Sequence, residues 1–330
     1  MVIPHFMPYE GQHCETTATG TLLKHLGIDF SEPMLFGIGE GLGYIYWNMK
    51  IMDFPFIGGR IKPDVLTANI VQNLGLKMQV NETTSRKKAW NHVRESIDNG
   101  IPVGLKLDSY YLEYFTSKIH FAGHYVAMYG YDEAMAYLVD TVQQGGAVQT
   151  SLASLEQARN ARGPMSSRNR SYTIRKSSQS FELPSVLRAA ILNNAREYLN
   201  PPIRNIGYMG IEKTATEIKK WFKQSRNIAH EFGTTAKLME HGGTGGAIFR
   251  NLYRDFLFES ARALSSEEIA SVAQQFDTIA KRWTQVAELF VQTAHTEDGG
   301  YIDQASAILL ELSVQEKTAM ENLLNAVEKG

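Results

Sequence analysis

The sequence predicts an α+β N-terminal domain followed by an all-α C-terminal domain, and three observations carry that prediction. Residues 1–180 are rich in glycine, tyrosine and short β-like runs with helical stretches between them. Residues 181–330 read as helix after helix. The texture changes across a basic segment that holds no acid between Glu156 and Glu182. A chain of 330 residues suits two domains, drawn here as 1–180 and 181–330.

In the first half, a helix is expected from Thr17 to Leu26, closed by Gly27. Ala89, Val93 and Ile97 recur at helical spacing over residues 85–99, ahead of Gly100 and Pro102. Val103–Leu107, Tyr125–Tyr129 and Ala136–Val139 read as strands bounded by turn residues. In the second half, helices are expected over 183–198, 212–224, 228–240 and 247–264. A further one opens at Ser265-Ser266-Glu267-Glu268, where Ser265 and Glu268 have capping-box spacing, and the last runs from about Ile302 to Val327. A helix bundle is the simplest account, and it offers a face for oligomerisation. Arg159, Arg162, Arg168, Arg170, Arg175 and Lys176 mark the junction. They suit an acidic partner, although a solvated linker is the commoner use of such a run.

Apolar residues make up 43% and charged residues 21%, the profile of a globular protein with a sizeable core. The net charge of −2 gives no reason to expect nucleic acid or an anionic membrane as partner. No apolar run reaches the ~20 residues of a membrane span. A single cysteine and an N-terminus without signal-peptide character point to the cytoplasm.

That cysteine, Cys14, cannot form an internal disulfide or complete a multi-cysteine metal site, so it is either packing or a nucleophile. It stands at a predicted helix start, where the dipole favours negative charge on sulfur. A base and an orienting carboxylate are available downstream. His124 heads one strand, and the next ends in Val139-Asp140-Thr141. A hairpin centred on Asp132 puts His124 opposite Asp140, where facing residues lie ~4.5–5.5 Å apart. Nucleophile, base and orienter are the parts of an acyl-transfer site. His120 and His124 are spaced H-x-x-x-H on strand-like flanks, and H-E-x-x-H is absent, so no metal site is expected.

Several motifs together resemble a known family. Gln12-His13-Cys14-Glu15-Thr16, the glycine-rich run Leu35 to Gly43, Gly58-Gly59-Arg60, Gly123-His124-Tyr125-Val126 and Val139-Asp140-Thr141 look like the N-terminal domain of butirosin biosynthesis protein H. The stretch Gly242 to Leu257 looks like the helical domain that accompanies it. The resemblance implies a papain-like cysteine acyltransferase of secondary-metabolite biosynthesis, with Cys14 as nucleophile, His124 as base and acid, and Asp140 as orienter. It implies an acyl or aminoacyl thioester donor, carried on the phosphopantetheine of an acyl carrier protein, and a small-molecule amine acceptor, with no cofactor of the enzyme's own. A papain-like peptidase or amidase, and a non-catalytic binding protein on the same scaffold, are the alternatives. Related peptidases place an oxyanion glutamine about six residues before the cysteine, where this chain has Pro8, leaving Gln12 as the substitute candidate.

Beside that core, His13 is a candidate substrate contact. Tyr110 and Tyr111, with Tyr114 and Phe115, are candidates to wall an acyl cleft, although core packing is the commoner use of aromatics. Arg250 and Arg254 share a helix face behind the Gly242–Gly246 loop and could receive a phosphopantetheine phosphate. Interhelical ion pairing is the ordinary alternative.

Overall fold

The computed structural model describes residues 1–50, 52–116, 118–163 and 166–328. It is a mixed α/β structure made of two compact units, Met1–Leu35 with Pro63–Phe181, and Phe36–Lys62 with Glu182–Gly330. In chain order the helices are α1 (Cys14–His25), α2 (Glu32–Ile38), α3 (Val65–Asn73), α4 (Arg86–Asp98), α5 (Leu152–Asn160) and α6 (Leu183–Leu199). They continue with α7 (Gly207–Gln224), α8 (Ile228–His241), α9 (Arg250–Leu264), α10 (Glu267–Thr296) and α11 (Gly299–Glu328). The strands are β1 (Leu42–Trp47), β2 (Phe56–Arg60), β3 (Lys77–Asn81), β4 (Val103–Leu107), β5 (His124–Tyr131), β6 (Met135–Val139), β7 (Ala147–Ser151) and β8 (Ser171–Arg175). Among the described residues no helix is long and apolar enough to cross a membrane.

The first unit is built on one antiparallel sheet in the order β3-β8-β4-β5-β6-β7. Alternate residues of its central strands, Val103, Leu105, Leu107, Val126, Met128 and Leu138, bury their side chains with Val93 and Ile97 of α4 and Leu155 and Ala158 of α5. Helix α1 packs against β5 and β4. Gly104 of β4 makes room for the Tyr172 ring of β8 opposite it, because a Cβ there would lie 2.2 Å from that ring. That ring's hydroxyl reaches Thr19 of α1 at 3.2 Å.

Strand β8 lies inside the basic segment, so this segment is not simply a linker. Arg159 is buried and donates to the carbonyls of Ala89 and Asn169, while Arg170 pairs with Asp64 and Glu82. These two cations are consumed by the fold rather than offered to a partner.

The second unit holds α6–α11 and the β1–β2 hairpin. Residues 36–62 precede the boundary expected at residue 180, yet they belong to this unit through specific bonds. The Leu42 carbonyl accepts from Asn194, and the Tyr44 phenol donates to Thr214. Helices α10 and α11, 30 residues each, pack on one another and bury Trp283, Phe276 and Phe290. The start of α10 lies one residue later than its capping-box spacing suggests. Ser266, not Ser265, is the N-cap and accepts from Ile269 N–H, while Ser265 closes α9 in the left-handed region at φ 51°.

Candidate active site

Cys14 is the first residue of α1 and is partly exposed. The turn that leads into it is fixed from outside the helix. His13, the N-cap residue, supplies no side-chain cap. Glu32, at the start of α2, does so instead. Its carboxyl accepts from the backbone N–H groups of Gln12 and His13 at 2.8 Å each and from the Thr16 hydroxyl at 2.7 Å. Burial raises the Glu32 pKa above the usual carboxyl range, and these three hydrogen bonds only partly offset it.

Glu15, next to the nucleophile, plays the same part for α3. Its Oε1 accepts from the N–H groups of Asp64 and Thr67 and from the Thr67 hydroxyl. Asp64 then joins Lys106, Tyr125 and Arg170. Burial opposes the Asp64 charge, but the Lys106 and Tyr125 hydrogen bonds and the two cations hold its pKa below the usual value. The start of α1 is therefore tied to α2 and α3 by two buried carboxylates that hydrophobic periodicity does not reveal. A sequence signal existed only in their residue type, an acid within an otherwise apolar and threonine-rich stretch.

Opposite the helix start, the His124 Nε2 nitrogen lies 2.8 Å from Asp140 Oδ2, and both side chains are buried. The second ring nitrogen, Nδ1, is left free of Asp140, and Cys14 lies near enough to the imidazole to act on its charge. Burial is the largest single influence on His124 and lowers its pKa. The charge and hydrogen bond of Asp140, joined by those of Cys14, outweigh it and raise the value to about 10. An imidazolium at neutral pH is the result.

The contact expected between His124 and Asp140 is present, but the strand register that brings it about differs. A hairpin centred on Asp132 puts Tyr137 opposite Ala127, whereas Val139 occupies that position. An irregularity between Met128 and Gly130 accommodates the shift. A displacement of two residues keeps side chains on the same face, so Asp140 reaches His124 along the diagonal.

Asp140 has two further partners. Its Oδ1 accepts from Thr141 N–H at 2.6 Å, and its Oδ2 accepts from the Tyr114 hydroxyl at 2.8 Å. Phe115 stands edge-on to the His124 ring, with centroids 5.1 Å apart. Tyr114 and Phe115 thus touch the histidine–aspartate pair directly, while their neighbours do not. Tyr111 packs on the core, and Tyr110 stacks on His120 at 3.9 Å. His120 itself turns to Asp108, 2.8 Å away.

The remaining candidates fare differently. The Gln12 side chain is exposed, and among the described residues no hydrogen bond orients its amide as an oxyanion donor; only its backbone N–H is bound, by Glu32. His13 is buried beside Thr16, with its Nδ1 3.3 Å from the hydroxyl, which makes it part of the helix start rather than an exposed contact.

Residues 153–323 match the family described as Domain of unknown function (DUF4872), more than half of the chain. The chain belongs to that family. Residues 13–141 match a second family, described as Butirosin biosynthesis protein H, N-terminal. That match begins one residue before Cys14 and ends one residue after Asp140. A search of curated proteins gives no match.

Both candidate phosphate-binding arginines lie in the DUF4872 segment, and Arg250 cannot serve as one. It is completely buried, and each of its five N–H groups is spent: two on Glu316, one on Tyr198, and two on the carbonyls of Gly59 and Ile248. Arg254 is half-exposed and held by Asp255, Asp277 and Asn251. The adjoining glycine loop also turns its amides inward, Gly246 N–H to Thr244 and Ala247 N–H to Glu240.

Proposed function

We propose that this DUF4872 protein is a papain-like cysteine acyltransferase that forms an acyl-enzyme on Cys14. The observation that carries the reading is the placement of His124 between Cys14 and a buried, doubly anchored Asp140. A cysteine sulfur whose proton is held by an imidazolium, with the ring oriented by a carboxylate, is the chemistry of a cysteine nucleophile. The match to a butirosin biosynthesis family supports a role in secondary-metabolite biosynthesis.

In this mechanism His124 holds the proton of Cys14, and the thiolate sulfur attacks the carbonyl carbon of an acyl thioester. The carbonyl oxygen takes the negative charge and is met by the Cys14 N–H, one of the donors left unbonded in the first turn of a helix. The donor carbon–sulfur bond breaks, and the departing thiolate takes the proton from His124. An amine then attacks the acyl-enzyme, His124 accepts its proton, and the Cys14 sulfur leaves with its electron pair. Asp140 holds the ring through both steps. A carrier-protein phosphopantetheine thioester is the donor we infer, and a small amine the acceptor.

The test is incubation with a series of pantetheine thioesters followed by intact-mass measurement. An acyl adduct on Cys14, absent in Cys14→Ser and discharged onto added amines, is the expected result. Absence of any adduct on the folded protein would overturn the proposal. Discharge to water alone, with amines ignored, would make the protein a hydrolase instead.

A further inference from the structure

We propose that Tyr114 is a positioning residue of this site: its phenol donates to the same Asp140 oxygen that holds His124, and so sets how firmly the carboxylate grips the imidazole. The inference rests on the proposed roles of Cys14, His124 and Asp140. Its geometry is direct. Oδ2 of Asp140 accepts from His124 Nε2 at 2.8 Å and from the Tyr114 hydroxyl at 2.8 Å, while Oδ1 is committed to Thr141 N–H. The two donors therefore share one buried charge. A hydrogen bond to a carboxylate oxygen draws density from it and weakens its attraction for a second donor. Tyr114 stays protonated to do this, because burial and then the Asp140 charge raise its pKa well above the ordinary value.

The segment is braced for the task. Phe115, the next residue, packs edge-on to the His124 ring, so one dipeptide contacts both members of the pair. The Phe115 N–H bonds to the Leu112 carbonyl, which also receives Lys118 Nζ. Other titratable groups on the surrounding elements have partners of their own. Glu15 bonds the start of α3, Lys106 and Tyr125 bond Asp64, His120 bonds Asp108, and Glu113 bonds Ser151. His13 bonds Thr16, and Glu32 bonds the turn before α1. Among the described residues, Asp140 and Cys14 act on the charge of His124, and Asp140 acts on that of Tyr114.

The experiment is the pH dependence of Cys14 alkylation by iodoacetamide, which needs no acyl substrate and reads the chain's one thiol. An upper inflection reports loss of the His124 proton. Tyr114→Phe removes one hydroxyl, so the carboxylate should grip His124 more strongly and move that inflection upward by roughly threefold or more in proton affinity. Incorporation of 3-fluorotyrosine at position 114, which keeps the hydroxyl and makes it a better donor, should move it downward. Opposite shifts support the proposal. Inflections that coincide with wild type in both variants, with unchanged near-UV circular dichroism, overturn it while leaving the site reading intact. Failure of acyl transfer with normal alkylation would overturn only the proposed reaction. An alkylation profile identical to a model thiol would overturn the site and Tyr114 together.

Discussion

The Nε2 nitrogen of His124 and the Oδ2 oxygen of Asp140 meet at 2.8 Å in a place that both side chains reach only by leaving water. A buried imidazole would ordinarily be neutral, and the carboxylate reverses that preference. Asp140→Asn should keep the shape and remove the charge. Single-turnover acylation of Cys14 is then expected to slow by about 10²- to 10⁴-fold. A loss below about threefold would mean that Asp140 does not orient the base.

The same pair sets a pH dependence of stability. The folded-state pKa of His124, about 10, lies above its ordinary value of about 6.5, so the folded protein binds the proton more tightly than the unfolded chain. The stabilisation is complete below about pH 6.5 and is lost as pH rises through about 10. Denaturant midpoints should fall across that window in the wild type and change less in Asp140→Asn. A flat wild-type profile would argue against a buried imidazolium.

Much of this arrangement was legible in the sequence because it follows from local pattern. The strands β4, β5 and β6 come from alternation and turn residues, and a strand pair brings His124 and Asp140 within reach even when the register is two residues off. Strand β8 was missed because Ser171–Arg175 lies in a run of cations that reads as linker, whereas its partners β3 and β4 are distant in sequence. Glu15 and Glu32 were missed for a related reason. Their bonds run to Asp64, Thr67, Gln12 and His13, and no periodicity encodes contacts between a side chain and a remote helix start. Arg250 shows the reverse error, since an arginine that ends in a buried ion pair has the same sequence signature as one that binds phosphate.

Glu32 supplies a prediction about the nucleophile's own helix. Glu32→Ala removes the acceptor for two backbone N–H groups and a hydroxyl, and should destabilise by about 1–3 kcal/mol. Glu32→Gln retains an acceptor oxygen and should cost less. Because the folded-state pKa of Glu32 is raised, its linkage contribution is present below the ordinary carboxyl pKa and lost as pH rises through the folded one. Glu32→Gln should abolish that loss. Equal midpoints for the Ala and Gln variants at neutral pH would count against the capping role.

Ser265 ends α9 at φ 51°, ψ 43°, a conformation that costs a residue with a Cβ about 1 kcal/mol and glycine little. Its side chain is exposed. Ser265→Gly should therefore raise the denaturant midpoint, by about 0.5–1 kcal/mol in stability. Ser266→Gly, at the true N-cap of α10, gives up the bond to Ile269 N–H and should not stabilise. The opposite ranking would place the helix boundary one residue earlier.

Arg250 and Arg254 stand four residues apart on one helix and should answer substitution in opposite ways. Arg250→Met leaves the Glu316 carboxylate buried without its cation, since both its oxygens face the guanidinium. Trp283 Nε1 still donates to Oε1, but a neutral donor does not balance the charge. The expected cost is about 3–5 kcal/mol, and the Ile248 and Gly59 carbonyls lose their shared donor as well. Arg254→Met breaks half-exposed pairs with Asp255 and Asp277 and should cost no more than about 1 kcal/mol. Urea unfolding of the two variants separates the roles. If Arg250→Met unfolds like wild type, the pair with Glu316 contributes no net stability, and the burial of five satisfied N–H groups needs another explanation.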